Sequence, residues 1–100
     1  VQKKISDLDF WDACDALVSS HAVTVDRPRG MRHPRHPEMV YPLDYGYLQG
    51  TTTGDGSLID VWLGSRGDTA VMAIACTVDL LKRDAELKLL LGCTEDEMRL

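Results

Sequence analysis

Residues 79–92, "DLLKRDAELKLLLG", admit two readings, and the fold turns on which one holds. Residue propensity favours a helix, because Leu, Lys, Glu, Ala and Arg dominate and Gly92 stands where a helix stop belongs. The alternative is a loop over "DLLKRDA" followed by a strand over "ELKLLLGC", whose alternation sets Leu87, Leu89 and Leu91 on one side. The two differ in what they do with a pair of carboxylates. On a helix, five steps of about 100° leave Asp79 and Asp84 roughly 140° apart, aimed at separate surfaces. A site that uses both aspartates requires the strand.

Outward from this stretch, the chain punctuates itself clearly. "TAVMAIACTV" is almost continuously apolar and is expected to be a central strand. "LIDVWLG" and residues 40–48, "VYPLDYGYL", read as two more strands, and "HAVTVDR" as a short one that stops at Pro28. "TTTGDG" and "GSRGD" supply turns, while "PRGMRHPRHPEM" carries three prolines and a glycine and reads as a stiff loop. At the N-terminus, "SDLDFWDACDALVSSH" offers Ser6 or Asp7 as a cap and spaces Leu8, Trp11, Cys14 and Val18 as one apolar face of a helix. Asp7, Asp9, Asp12 and Asp15 fall mostly on its other, solvated face. Thr94 and Glu97 in "TEDEMRL" have capping-box spacing and start a second helix. The expectation is one α+β domain over residues 1–100: a helix at about 7–19, a small, highly twisted five-stranded barrel at about 22–93, and the beginning of a C-terminal helix.

Composition narrows the function. With 44% hydrophobic residues and no apolar run near ~20 residues, neither a membrane span nor a secretory leader is expected. A formal charge of −5 argues against general nucleic-acid binding, which needs clustered cations. Three cysteines, Cys14, Cys76 and Cys93, form no CxxC pair and read as small buried hydrophobes, which suits a reducing cytoplasm. The charge is uneven, however: Arg27, Arg29, Arg32 and Arg35 lie together in "RPRGMRHPR". Such a loop is either solvated or an anion site, for which guanidinium is well shaped. His33 and His36 in the same loop are expected to be exposed.

Two acidic pairs stand out, Asp55 with Asp60 in "DGSLID" and Asp79 with Asp84 in "DLLKRD". Asp55 before Gly56 fits an ordinary hairpin turn. Asp60 is different, because it lies between Leu58 and Trp62 on one face of an apolar strand, where an ionised carboxylate requires a cation. Carboxylates converging at about 4 Å would repel by roughly 4 kcal/mol per pair at an effective dielectric near 20, so a shared acidic cleft also calls for positive charge.

In "YPLDYGYL", "DGSLIDV" and "DLLKRD", in that order, the chain resembles the soluble family I inorganic pyrophosphatases over about residues 22–91. The family pattern is a Tyr-Pro-x-x-Tyr-Gly-Tyr/Phe strand, then Asp-x-Asp-x-x-Asp, then a second Asp-x4-Asp pair. The resemblance implies an OB-like barrel, a homo-oligomer, and hydrolysis of inorganic diphosphate with Mg²⁺, for which Mn²⁺ can substitute. Asp55, Asp60, Asp79 and Asp84 match metal-binding aspartates, with Asp55, Asp60 and Tyr45 in the catalytic centre. Tyr41 and Tyr45 match substrate-side tyrosines, and Arg32 and Arg35 compete for one phosphate-binding arginine. Oligomer contacts are expected on an exposed apolar helix face such as that of Trp11.

Three departures bear on turnover. Ser57 stands where the family has the aspartate that helps deprotonate the attacking water, and losing a positioned base commonly costs about 10²- to 10⁴-fold in rate. Glu86 replaces a phosphate-binding lysine, for which Lys82, Arg83 or Lys88 are candidate substitutes. The family's C-terminal Tyr-Lys pair has no counterpart in these residues. Three functions follow: a metal-dependent diphosphatase acting on diphosphate or a related phosphoanhydride, a metal and phosphate-ligand binder without turnover, and a structural module on the same fold.

Overall fold

A computed structural model describes residues 9–54 and 56–100. Its elements in chain order are α1 (Phe10–Ser19), β1 (Val23–Arg27), β2 (Asp44–Leu48), β3 (Ile59–Leu63), β4 (Val71–Asp79), β5 (Asp84–Leu91) and α2 (Glu95–Met98). The ambiguous stretch is therefore the neck, loop and return strand of a β4–β5 hairpin. Two features override helix propensity there. Asp79 Oδ1 accepts the backbone N–H groups of Leu81 (2.9 Å) and Lys82 (3.0 Å), closing the turn, and Arg83 takes a positive φ of 58°.

The strands form one mixed sheet in the order β1-β2-β3-β5-β4, antiparallel throughout except for the parallel β3–β5 pair. The five strands and the N-terminal helix match expectation. The sheet does not close into a barrel, leaving β1 and β4 at its two edges. The expectation of a central β4 is corrected by the same order. Its hairpin partner β5 inserts beside β3, so β4 pairs on one side alone and its last four residues, Cys76 to Asp79, are exposed. The apolar run that suggested burial on two faces thus belongs to an edge strand.

Registration divides the sheet into two unlike faces. One carries Leu48, Val61, Leu89 and Leu91, which with Val18 of α1 form the buried core, Leu17, Ile59, Leu63 and Ile74 packing around them. Full burial of such a side chain contributes about 1.5–3 kcal/mol, which is ample to fix which face turns inward. Leu87 belongs to this face by alternation but is exposed, because the hairpin runs on past the core. The opposite face carries the polar and aromatic residues. Arg27, Tyr45, Trp62 and Leu90 face one another across four strands, and beside them Thr24, Tyr47, Asp60, Lys88 and Ala75 cross all five.

Arg27 reaches that face through a β-bulge between Val25 and Arg27. Strict alternation from Thr24 would have put Asp26 there instead. The bulge presses β1 onto Gly46, where an added Cβ would stand 1.8 Å from the Thr24 carbonyl oxygen, so the glycine of "DYGYL" permits the close approach.

Caps hold the two ends. Asp9 is the N-cap of α1 and accepts the Asp12 N–H at 2.7 Å, while Ser6 and Asp7 lie outside the described residues. Asp15 is not merely solvated, since its Oδ1 accepts the Val71 N–H at 3.0 Å and ties α1 to β4. The capping box of α2 forms as read, with Glu97 accepting from Thr94 (2.9 Å) and also from Ser65 (3.1 Å). Of the cysteines, Cys93 alone is buried; Cys14 is half-buried and Cys76 exposed, which corrects the expectation for those two. Among the described residues no helix is long and apolar enough to cross a membrane.

Candidate functional site

Lys88 is the centre of the polar face. Its Nζ lies 2.6 Å from the Tyr45 hydroxyl, 3.3 Å from Asp60 Oδ2 and 3.2 Å from Glu86 Oε2, and it sits over the Tyr45 ring at 5.0 Å. Only 15% of its side chain is exposed. Burial pulls the Lys88 pKa down, but the Tyr45 hydrogen bond and the attraction of Tyr45, Glu86 and Asp60 reverse this and leave it raised. Tyr45 is raised too, chiefly by burial, against the lowering effect of Lys88, so it stays a phenol at neutral pH. The cation that the position of Asp60 demands is thus supplied by this lysine.

Around this centre the aromatic rings form a wall. Tyr45 and Trp62 have centroids 4.6 Å apart, Tyr41 lies 5.8 Å from each, and His33 stacks on Tyr41 at 6.2 Å. Tyr41 is 4% exposed, and Arg27 donates a hydrogen bond to its hydroxyl while lying over its ring at 5.5 Å. The hydrogen bond to Tyr41 raises the Arg27 pKa further. His33 is half-buried, contrary to expectation, and burial together with the nearby Arg27 lowers its pKa, so it is neutral at pH 7.

Of the two arginines expected at a phosphate, Arg32 donates to the Pro37 carbonyl at 2.8 Å, and Arg35 meets His33 through its backbone N–H at 3.1 Å. Both side chains are exposed in the loop. The arginine that joins the tyrosines is Arg27.

The carboxylates flank a cleft of about 430 Å³ lined by Thr53, Ser57, Asp60, Asp84 and Glu86. A second hollow, about 500 Å³, opens at the hairpin neck and shares Asp84 and Glu86 while adding Asp79. Asp79 and Asp84 are a facing cross-strand pair, so the hairpin brings these two residues together. Asp79 nonetheless commits one oxygen to the hairpin turn. Asp55 lies outside the described residues. Among the described residues no three His, Cys, Asp or Glu side chains stand close enough to hold a metal ion. The chemistry of the cleft lining still fits a hard divalent cation, because carboxylates and hydroxyls are oxygen donors of the kind Mg²⁺ prefers.

The sequence names Lys88 only as one of three possible substitutes and Arg27 only as one of four loop arginines, so neither is singled out for the site. Lys88 had a usable signal: once β5 is a strand, residues 84, 86, 88 and 90 share the face opposite Leu87, Leu89 and Leu91. Arg27 had none, since its orientation depends on the bulge. Comparison of the chain with protein-family models, curated proteins and solved structures returned no match.

Proposed function

We propose that the polar face hydrolyses inorganic diphosphate, or a closely related phosphoanhydride, with a divalent metal ion. The observation that carries this is the position of Asp60, which belongs both to the Lys88–Tyr45 cluster and to the cleft lined by Asp84 and Glu86. A diphosphate needs cations and phenols on its oxygens and a metal on its far side, and one residue joins those two environments.

Asp60 and Asp84, with Asp55 and the second oxygen of Asp79, are the residues that would hold Mg²⁺ or Mn²⁺. When bound, the metal supplies positive charge to the phosphoryl oxygens and makes water more acidic. Lys88 and Arg27 add fixed positive charge on the substrate side, and Tyr41 and Tyr45 orient those cations through their hydroxyls. Arg32 and Arg35 remain candidates for the outer phosphate, on a loop that reaches the wall through His33. In the reaction a water oxygen bonds to one phosphorus as the bridging P–O bond breaks, yielding two orthophosphates. Lys88 takes over the charge lost at Glu86, because the two side chains share a strand face and touch. The proposal also carries an OB-like barrel ancestry, favoured by the strand count and helix and opposed by the open edges, and residence in the cytoplasm, favoured by three unpaired thiols.

A metal and phosphate-ligand binder without turnover is the second reading. Ser57 in the cleft lining, with no carboxylate at that position to take a proton from water, favours it. Phosphate release from diphosphate, measured with Mg²⁺ and with Mn²⁺, distinguishes the two. Metal-dependent release that falls in Asp60→Asn supports hydrolysis; no release from the wild-type protein with either metal ends that proposal.

A further inference from the structure

The two edges of the sheet are built differently. β1 is short, bulged, carries Asp26 and Arg27, and stops at Pro28, all of which discourage another strand from pairing with it. β4 has nine residues, and from Val71 to Val78 it contains no charge and no proline. Its one irregularity lies at its start, between Val71 and Ala73, leaving the outer half regular. Long, uncharged edges of this kind template pairing with a further strand.

The two ends of β4 are flanked by unlike chemistry. At the start of the strand lies α1, which packs against β4 and is tied to Val71 by Asp15. One turn before Asp15, on the same side of the helix, is Trp11, 49% exposed, with Asp12 beside them. At the other end, the hairpin loop offers Leu80 and Leu81, the latter 97% exposed, followed by Lys82 and Arg83. One end is apolar and acidic; the other is apolar and basic.

We propose that β4 is the seam of a two-fold dimer, in which it pairs antiparallel with β4 of a second copy of this chain. A register centred on Cys76 sets Val71 of one copy opposite Leu81 of the other. Each hairpin loop then lies against the opposing α1, so that Leu80 and Leu81 cover Trp11 while Lys82 and Arg83 meet Asp12 and Asp15. The apolar side of the projecting hairpin, with Val78 and Leu87 exposed in one copy, continues into the same surface of the second. Because each β4 edge is used up by the other and the bulged, charged β1 edge discourages pairing, the assembly closes at two copies. Nothing in this depends on the metal or diphosphate chemistry proposed above.

Sedimentation velocity of the whole chain, from low micromolar to near-millimolar concentration, tests the dimer. The wild-type protein sediments as a reversible dimer, and Val78→Lys with Leu81→Glu weakens association by about tenfold or more while leaving the circular dichroism unchanged. Lys82→Glu weakens it also, and Asp12→Lys in the same chain restores it. At a two-fold axis in an antiparallel pair, Cα atoms lie about 4.5–5.5 Å apart, within disulfide range, so diamide links two wild-type chains and fails to link Cys76→Ser. A wild-type monomer throughout the range, an open-ended series of larger species, or a dimer indifferent to the Val78 and Leu81 changes overturns the proposal.

Discussion

Replacing Lys88 by methionine removes one ammonium from three partners while keeping most of the aliphatic stem over Tyr45. The expected loss can be built contact by contact. Glu86 is half exposed, so its 3.2 Å pair contributes close to nothing once water is allowed for. Asp60, 35% exposed, loses its cation at 3.3 Å, and screening limits that loss to about 1 kcal/mol. The Tyr45 hydroxyl loses a donor at 2.6 Å in a half-buried setting, worth about another 1 kcal/mol. The sum is about 2 kcal/mol, or a fall in Tm of about 8–16 °C for a chain of this size. Thermal and urea melts of Lys88→Met, Asp60→Asn and the double variant measure both the loss and its origin. The two changes are expected to be non-additive, because each removes the same pair. The raised Lys88 pKa gives the pH dependence a definite sign. Its contribution is complete below the ordinary lysine value of 10.5 and drains away as pH rises through the higher folded value, a limb absent from the methionine variant. A Tm within a degree or two of wild type, or strict additivity with Asp60→Asn, would refute the placement of Lys88 at the hub.

Other consequences are independent of that one. If the cleft hydrolyses diphosphate as proposed, Ser57→Asp, which introduces an acid into the cleft lining, is expected to raise phosphate release by about 10²-fold or more; an unchanged rate means that a base at this position is not what limits turnover. Gly46→Ala drives a Cβ into the Thr24 carbonyl and is expected to lower stability by about 3 kcal/mol, read as an earlier urea midpoint with β1 detached; an unmoved midpoint removes the bulge from the account of Arg27. Backbone N–H groups of Thr94 and Ser65 hold the Glu97 pKa below its ordinary 4.5, so its support of the C-terminal turn is present above that pH and lost as pH falls through the folded value. Glu97→Gln should therefore flatten part of the acid limb of the stability profile, and identical limbs would contradict the sign.

Much of the fold could be read from local pattern because each element is specified locally. The apolar spacing of α1, the alternation of β2 and β3, and the Thr94–Glu97 box each work within a few residues of themselves, whereas the cap at Asp9 is not the residue that the spacing suggests. The β4–β5 hairpin was legible only as an alternative, since Leu, Lys and Arg favour a helix until the Asp79 side chain captures the turn. The place of β4 was not legible. An unbroken apolar run has the same appearance whether two faces are covered or one face and an open edge are, and strand order is set by where β5 returns. In the site, alternation exposes Asp60, Tyr45 and Lys88 on one face. Arg27 and the half-burial of His33 follow from a one-residue bulge and a long loop folding back, neither of which has a periodic signal.

The central claim is that the Lys88–Tyr45 cluster and the acidic cleft act as one metal and diphosphate site. Calorimetric titration of diphosphate into the protein, with and without Mg²⁺ and repeated with Asp60→Asn, measures it most directly. The account predicts that Mg²⁺ tightens diphosphate binding and that the substitution abolishes this coupling. Diphosphate binding that is identical with and without the metal, or no binding in either condition, would contradict it.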